Sequence, residues 1–208
     1  MWRDEADRPG AQRLQRPTGN RRLALLSMFL GYALIAGILE RAIPFDAVVP
    51  GVKLGLANVV ILAAIYLFSF WETLTLVVLK CVLTAFFTGS FASFAYSLSG
   101  SLLSFAAMCL LIRLLGERVS PIGVSVVGAV FHNLGQIAAA SVLMGTMLVA
   151  AYLPILLVSG VVTGALVGVA VKGVLRILRR QYAAYGGAPA GQGGDGAVQK
   201  GGDGNDVF

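Results

Sequence analysis

Leu23–Leu39 reads LALLSMFLGYALIAGIL, without a charge, between Arg21-Arg22 and Glu40-Arg41. A helix needs about 20 apolar residues to cross the hydrocarbon core of a bilayer, and this run is close to that length. The basic stretch before it is superficially like a signal peptide, but no small-x-small cleavage site follows. The run therefore reads as an uncleaved first span. Moving outward, the same texture continues to residue 175. Of the 26 charges in the chain, ten fall within 23–175: Glu40, Arg41, Asp46, Lys53, Glu72, Lys80, Arg113, Glu117, Arg118 and Lys172. Hydrophobic residues make up 57% of the chain and charged ones 12%, against about a quarter charged in soluble domains. The mean hydropathy is +0.82. A soluble fold could not cover its surface with so few charges. The composition excludes a soluble enzyme, a disulfide-rich secreted domain and a disordered chain. It leaves an all-α, polytopic membrane helix bundle.

Six spans are expected, at roughly 22–40, 54–70, 73–88, 92–114, 122–144 and 152–176. The connector 41–53 holds Pro44 and Pro50, and the break between the third and fourth spans falls at Thr88-Gly89-Ser90. Residues 1–22, polar and Arg-rich, read as a disordered basic cytoplasmic arm. Residues 23–180 read as the membrane domain, and 181–208 as a disordered Gly-rich tail. An even span number puts both ends on one side. Up to Arg180, that side then carries 12 Lys and Arg residues, and the opposite side carries only Arg41 and Lys53. The bias places both termini in the cytoplasm. The net charge of +6 is accounted for by topology and contact with anionic lipid, and no basic face remains for nucleic acid.

Chemistry-bearing residues are few. Lys80 falls near the middle of the third span, where a charge costs about 2.5–3.5 kcal/mol even on insertion scales. It should face a cavity, a counter-charge or an anion, unless its long stem snorkels to the interface. In the fifth span, His132-Asn133-x-x-Gln136 puts three hydrogen-bonding side chains into about one turn. His132 and Gln136, four apart, share a face, and Asn133 lies about 100° round. They either line a polar pocket or bond neighbouring helices. Asn58 enters the membrane just after Lys53, with Gly55 between them to let the chain bend. The stripe Gly160, Gly164, Gly168, the pair Ala33 and Gly37, and the face Ser93, Ser97, Ser101, Ser104 suit close helix packing or docking of a membrane partner. Cys81 and Cys109 have neither CxxC spacing nor a nearby His and read as small buried hydrophobes. No phosphate-binding loop for ATP is present, and no catalytic set or metal-ligand cluster can be assembled. No catalytic residue, metal or cofactor is expected.

The order of these motifs resembles one family, the Gx transporters, also labelled heptaprenyl diphosphate synthase component I. Pro50-Gly51-Val52-Lys53-Leu54-Gly55-Leu56-Ala57-Asn58, Gly89-Ser90, Gly123-Val124-Ser125-Val126-Val127-Gly128-Ala129, His132-Asn133-Leu134-Gly135-Gln136, Leu153-Pro154, Ser159-Gly160 and Thr163-Gly164 carry the likeness. It covers about residues 25–178. The resemblance implies a fold similar to the substrate-binding S components of energy-coupling-factor vitamin transporters. In such a fold 41–53 would be a lid over a pocket near the outer face, and Ala33 and Gly37 would sit where those subunits dock on the coupling protein. It also implies a multi-pass protein of a bacterial cell membrane. The expected function is capture and uptake of a small, anionic or amphipathic solute. Lys53, Asn58, Lys80, His132, Asn133 and Gln136 would bind it, and the energy would come from a coupling ATPase or an ion gradient. The rival is an accessory component of isoprenoid synthesis that presents prenyl diphosphates to a soluble synthase subunit. The acidic run Asp4-Glu5-Ala6-Asp7 is not the paired Asp-rich motif that such a synthase uses to hold magnesium.

Overall fold

The computed structural model describes residues 20–42 and 55–186, and nearly all of them are helical. Six α-helices follow in order: α1 Asn20–Ala42, α2 Leu56–Leu67, α3 Phe70–Thr88, α4 Phe91–Leu115, α5 Pro121–Met144 and α6 Leu153–Gly186. Short 3-10 turns, Gly116–Arg118 and Met147–Tyr152, join α4 to α5 and lead into α6. All of these helices but α2 are long and apolar enough to cross a membrane. The protein is an all-α membrane helix bundle. Lys53 and nearly all of the connector 41–53 lie outside the described residues, as do 1–19 of the expected arm and 187–208 of the expected tail.

Two boundaries differ from the sequence expectation. The second span is shorter than 54–70: α2 has 12 residues, about 18 Å of helix. It stops because Phe68 is extended and Ser69 starts the next helix. Glu72 accepts hydrogen bonds from the Ser69 backbone N–H at 2.8 Å and from its hydroxyl at 2.7 Å, so a capping box opens α3 three residues earlier than expected. The same carboxylate accepts Arg22 Nη2 at 2.6 Å and pairs with its Nε, clamping the start of α1 to the start of α3. At the other end, α6 runs ten residues past the expected end of the sixth span, to Gly186. At 34 residues it is about 51 Å long, more than a bilayer core needs.

The helices alternate in direction. The starts of α1, α3 and α5 share one side with the end of α6, here the terminal side. The end of α1, the start of α2 and the α3–α4 turn share the other, here the connector side. Helices α2, α3, α4, α5 and α6 pack as a ring, each on the next and α6 back on α2, while α1 lies against α2 and α3. The apolar core fills the terminal half of this ring. Ile61, Leu62, Phe68, Leu76, Val77, Phe105, Met108, Val124, Val171 and Leu175 form it. Aromatic residues stand out at both ends of α3, Trp71 at 70% exposure and Phe86 at 84%, as membrane-interface anchors do.

Glycines set the spacing around α5. A Cβ added at Gly135 would lie 2.7 Å from the Ser99 carbonyl oxygen. Added at Gly164 it would lie 2.8 Å from Val126 Cα, and at Gly168 2.5 Å from Ile122 Cα. Each is closer than real Cβ contacts come, so only glycine lets the α4–α5 and α5–α6 backbones approach this far. The Gly160–Gly168 stripe therefore packs inside the bundle, against α5. Ala33 is also inside, with no exposed area.

Three substitutions, two at glycines and one at Glu72, should change stability. Gly168→Ala should lower the unfolding midpoint of the purified protein by an amount worth about 1–3 kcal/mol. Gly31→Ala, where an added Cβ meets nothing within 4 Å, should be neutral or stabilising by up to ~1 kcal/mol. Thermal unfolding in detergent micelles checks both; equal shifts would contradict the packing. Glu72→Gln removes the clamp and weakens the cap, and should cost about 1–2 kcal/mol in the same assay.

Candidate functional site

The connector half of the ring is not dry. It encloses a cavity of about 120 Å³, and each helix contributes to its wall. From α1 come Gly37 and Glu40, and from α2 Ala57 and Asn58, next to Gly55. Lys80 and Thr84 belong to α3, and Ser93, Tyr96, Ser97 and Ser104 to α4. Ser125, Gly128, Ala129, His132, Asn133 and Gln136 belong to α5, so the wall reaches past mid-bundle toward the terminal side, and Thr163 and Gly164 belong to α6. Met108 and Val167 belong to both the wall and the apolar core, so they form the floor.

Each polar side chain has a local reason to be there. Gly55 adopts a left-handed φ of 75° as the cap of α2, a conformation that favours glycine. The turn that follows brings Asn58 to the wall. The Gly55 N–H donates to a Glu40 carboxylate oxygen, tying the end of α1 to the start of α2 where a helix N-terminus favours a negative charge. Lys80 is 7% exposed. It stands nine residues after Trp71 and six before Phe86, about 13 and 9 Å along the helix. Its side chain is therefore buried at membrane depth against the cavity, rather than turned out along the lipid face. Thr84, one turn on, lines the same wall.

The α5 side chains divide as their spacing requires. A Cβ on Gly100 of α4 would lie 2.8 Å from Gln136 Cγ and 3.1 Å from His132 Cε1. The absent side chain at 100 thus makes room for both on the α4 side. Asn133 turns to α6 and donates its amide to the Leu156 carbonyl at 2.6 Å. Ser99 donates to the Gly135 carbonyl at 2.8 Å. Both readings of the triad hold together: Asn133 bonds helices while lining the cavity beside His132 and Gln136.

Five of the six expected binding residues, Asn58, Lys80, His132, Asn133 and Gln136, thus meet at one cavity. The sixth, Lys53, lies outside the described residues. Sequence reasoning missed Glu40, Thr84, Tyr96 and Thr163. Glu40 was read as a charge at a span end. Thr84 could have been found from its four-residue spacing to Lys80, and Tyr96 from its place beside the Ser93–Ser97 face. Ser93, Ser97 and Ser104 of that face reach the wall, while the Ser97 hydroxyl also lies 3.5 Å from the buried Cys81 Sγ. Among the described residues, no group of three or more His, Cys, Asp or Glu could hold a metal ion.

Chemically, this is a water-compatible chamber of mixed polar and apolar wall, with an ammonium in the wall and a carboxylate toward its mouth. It can hold a small hydrogen-bonding solute and orient it. No curated protein and no solved structure matched the chain. The sequence model of heptaprenyl diphosphate synthase component I matches residues 29–174. That stretch runs from within α1 to within α6 and takes in all the described cavity residues, so the chain belongs to the heptaprenyl diphosphate synthase component I family.

Proposed function

We propose that this protein is a membrane-embedded substrate-binding protein that captures a small polar solute and passes it on with energy from a partner. One observation carries the reading: the buried Lys80 lines a cavity that lies on the connector side of an apolar floor. An ionisable side chain at this depth that faces a cavity marks a functional site by default. The few convergent polar groups around it are the usual make-up of a small-molecule site. With both termini cytoplasmic, as the basic residues at the chain ends suggest, the cavity faces outward and receives solute from outside the cell. Release inward then requires the floor to open. No nucleotide-binding loop occurs in the chain, so the work comes from a coupling ATPase or an ion gradient. Lys80 supplies charge, and Asn58, His132 and Gln136 orientation.

A second reading rests on the family's name. As an accessory component of a heptaprenyl diphosphate synthase, the protein would present a diphosphate to a soluble subunit, with Lys80 or Lys53 on the phosphates. Co-purification with a prenyl synthase, and loss of long-chain product on deletion, would favour it over uptake.

The test uses the protein purified into lipid nanodiscs, with small molecules extracted and identified by mass spectrometry. The wild type should carry a non-lipid solute. Lys80→Met should reach the membrane in equal amount and carry at least roughly tenfold less, the loss expected for one charge-assisted hydrogen bond. Equal solute in both would remove Lys80 from the site, and no solute in the wild type would contradict the binding role.

A further inference from the structure

Resting on the binding role just proposed, we infer that the cavity takes a small zwitterion, a molecule with one carboxylate and one ammonium group, of the size of a small amino acid. Two observations carry this. The first is the pair of charges. Among the described residues of the wall, Glu40 and Lys80 are the acidic and basic side chains. They stand at different depths. Glu40 lies two residues, about 3 Å, from the end of α1, and Lys80 eight residues, about 12 Å, from the end of α3. The site is therefore negative toward its mouth and positive deeper in. An ion of one sign gains from one of these groups and is repelled by the other, more strongly than in bulk water because the helices wall the site. A phosphate or diphosphate meets it most, because it carries the larger charge. A zwitterion gains from both, with its carboxylate on Lys80 and its ammonium toward Glu40. The Gly55 N–H takes only one of the roughly four lone-pair positions of a carboxylate, so Glu40 retains acceptor capacity.

The second observation is size. The cavity volume is about 120 Å³, a little below that of a cavity of about 150 Å³ that holds benzene. That admits about six heavy atoms. A prenyl chain does not find the volume here. Other polar side chains of the wall, His132, Gln136 and Asn58 among them, can fix such a solute in one orientation.

The experiment is a melting-midpoint screen of the full-length protein in nanodiscs. The probes are glycine, L-alanine, L-serine and β-alanine, set against acetate, propionate, ethylamine and inorganic diphosphate at equal concentration. At least one zwitterion should raise the midpoint, since a ligand that binds only the folded state stabilises it, and no single-sign ion should match it. Glu40→Gln should weaken zwitterion binding at least tenfold while letting propionate bind, and Glu40→Asp should keep the wild-type preference. The aspartate variant still tests the charge if the glutamine variant does not fold. Stabilisation by diphosphate or propionate with none by the zwitterions would overturn the inference and leave the cavity as a binding site. No stabilisation by any zwitterion would overturn it as well. Failure of the binding role itself reads out separately, as a wild-type protein that carries no solute.

Discussion

An ammonium group in the middle of a membrane-crossing helix must be solvated by something, because lipid cannot do it. Lys80 imposes that constraint on this bundle, and much of the connector half answers it. The serines of α4, the amides of α2 and α5, His132 and Glu40 all converge on the space that Lys80 borders. The terminal half carries no such demand and closes in the ordinary way, with Leu62, Val77, Val124 and Val171 fully buried. The ring is thus lined by polar groups around Lys80 and filled by apolar ones toward its terminal end.

Holding a chamber open beside a packed core requires helices that are close in one place and apart in another. Glycine provides the close approaches. Gly135 against Ser99, and Gly164 and Gly168 against Val126 and Ile122, bring α4, α5 and α6 to backbone distance. With the three helices fixed, His132, Asn133 and Gln136 have fixed directions. The ends are secured differently, by carboxylates. Glu72 caps α3 and holds Arg22 on the terminal side. Glu40 holds the Gly55 N–H on the connector side. Two acids therefore tie α1, which otherwise packs only along one flank, to the ring at both of its ends.

The long helices were legible because a membrane leaves little freedom: apolar runs of 17–25 residues between charges or glycines can only be spans. Gly89-Ser90 broke the pattern where the chain does turn, and four-residue spacing put His132 and Gln136 on one face. What stayed hidden has local causes. The brevity of α2 depends on Ser69 and Glu72 capping one another, and in the sequence Glu72 looked like one more interfacial charge beside Trp71. Glu40 likewise looked like the end of a span, since its role depends on Gly55 lying across from it. The extension of α6 was hidden because Lys172, Arg176, Arg179 and Arg180 read as a topological stop, whereas the backbone is indifferent to where the membrane ends. That Glu40 and Lys80 face one chamber is a product of packing between α1 and α3, which no single stretch of sequence encodes.

Water should reach Lys80's chamber from the connector side and stop at the apolar floor. Single cysteines in a background with Cys81 and Cys109 replaced by alanine test it, using a membrane-impermeant maleimide applied to each face of oriented vesicles. Cysteine at Thr84 or Gln136 should label from the face opposite the termini, and cysteine at Val124 or Leu175 from neither. Labelling of Val124 from either face, or of Gln136 only from the terminal face, would show that the chamber does not open and close where the packing puts its mouth and floor.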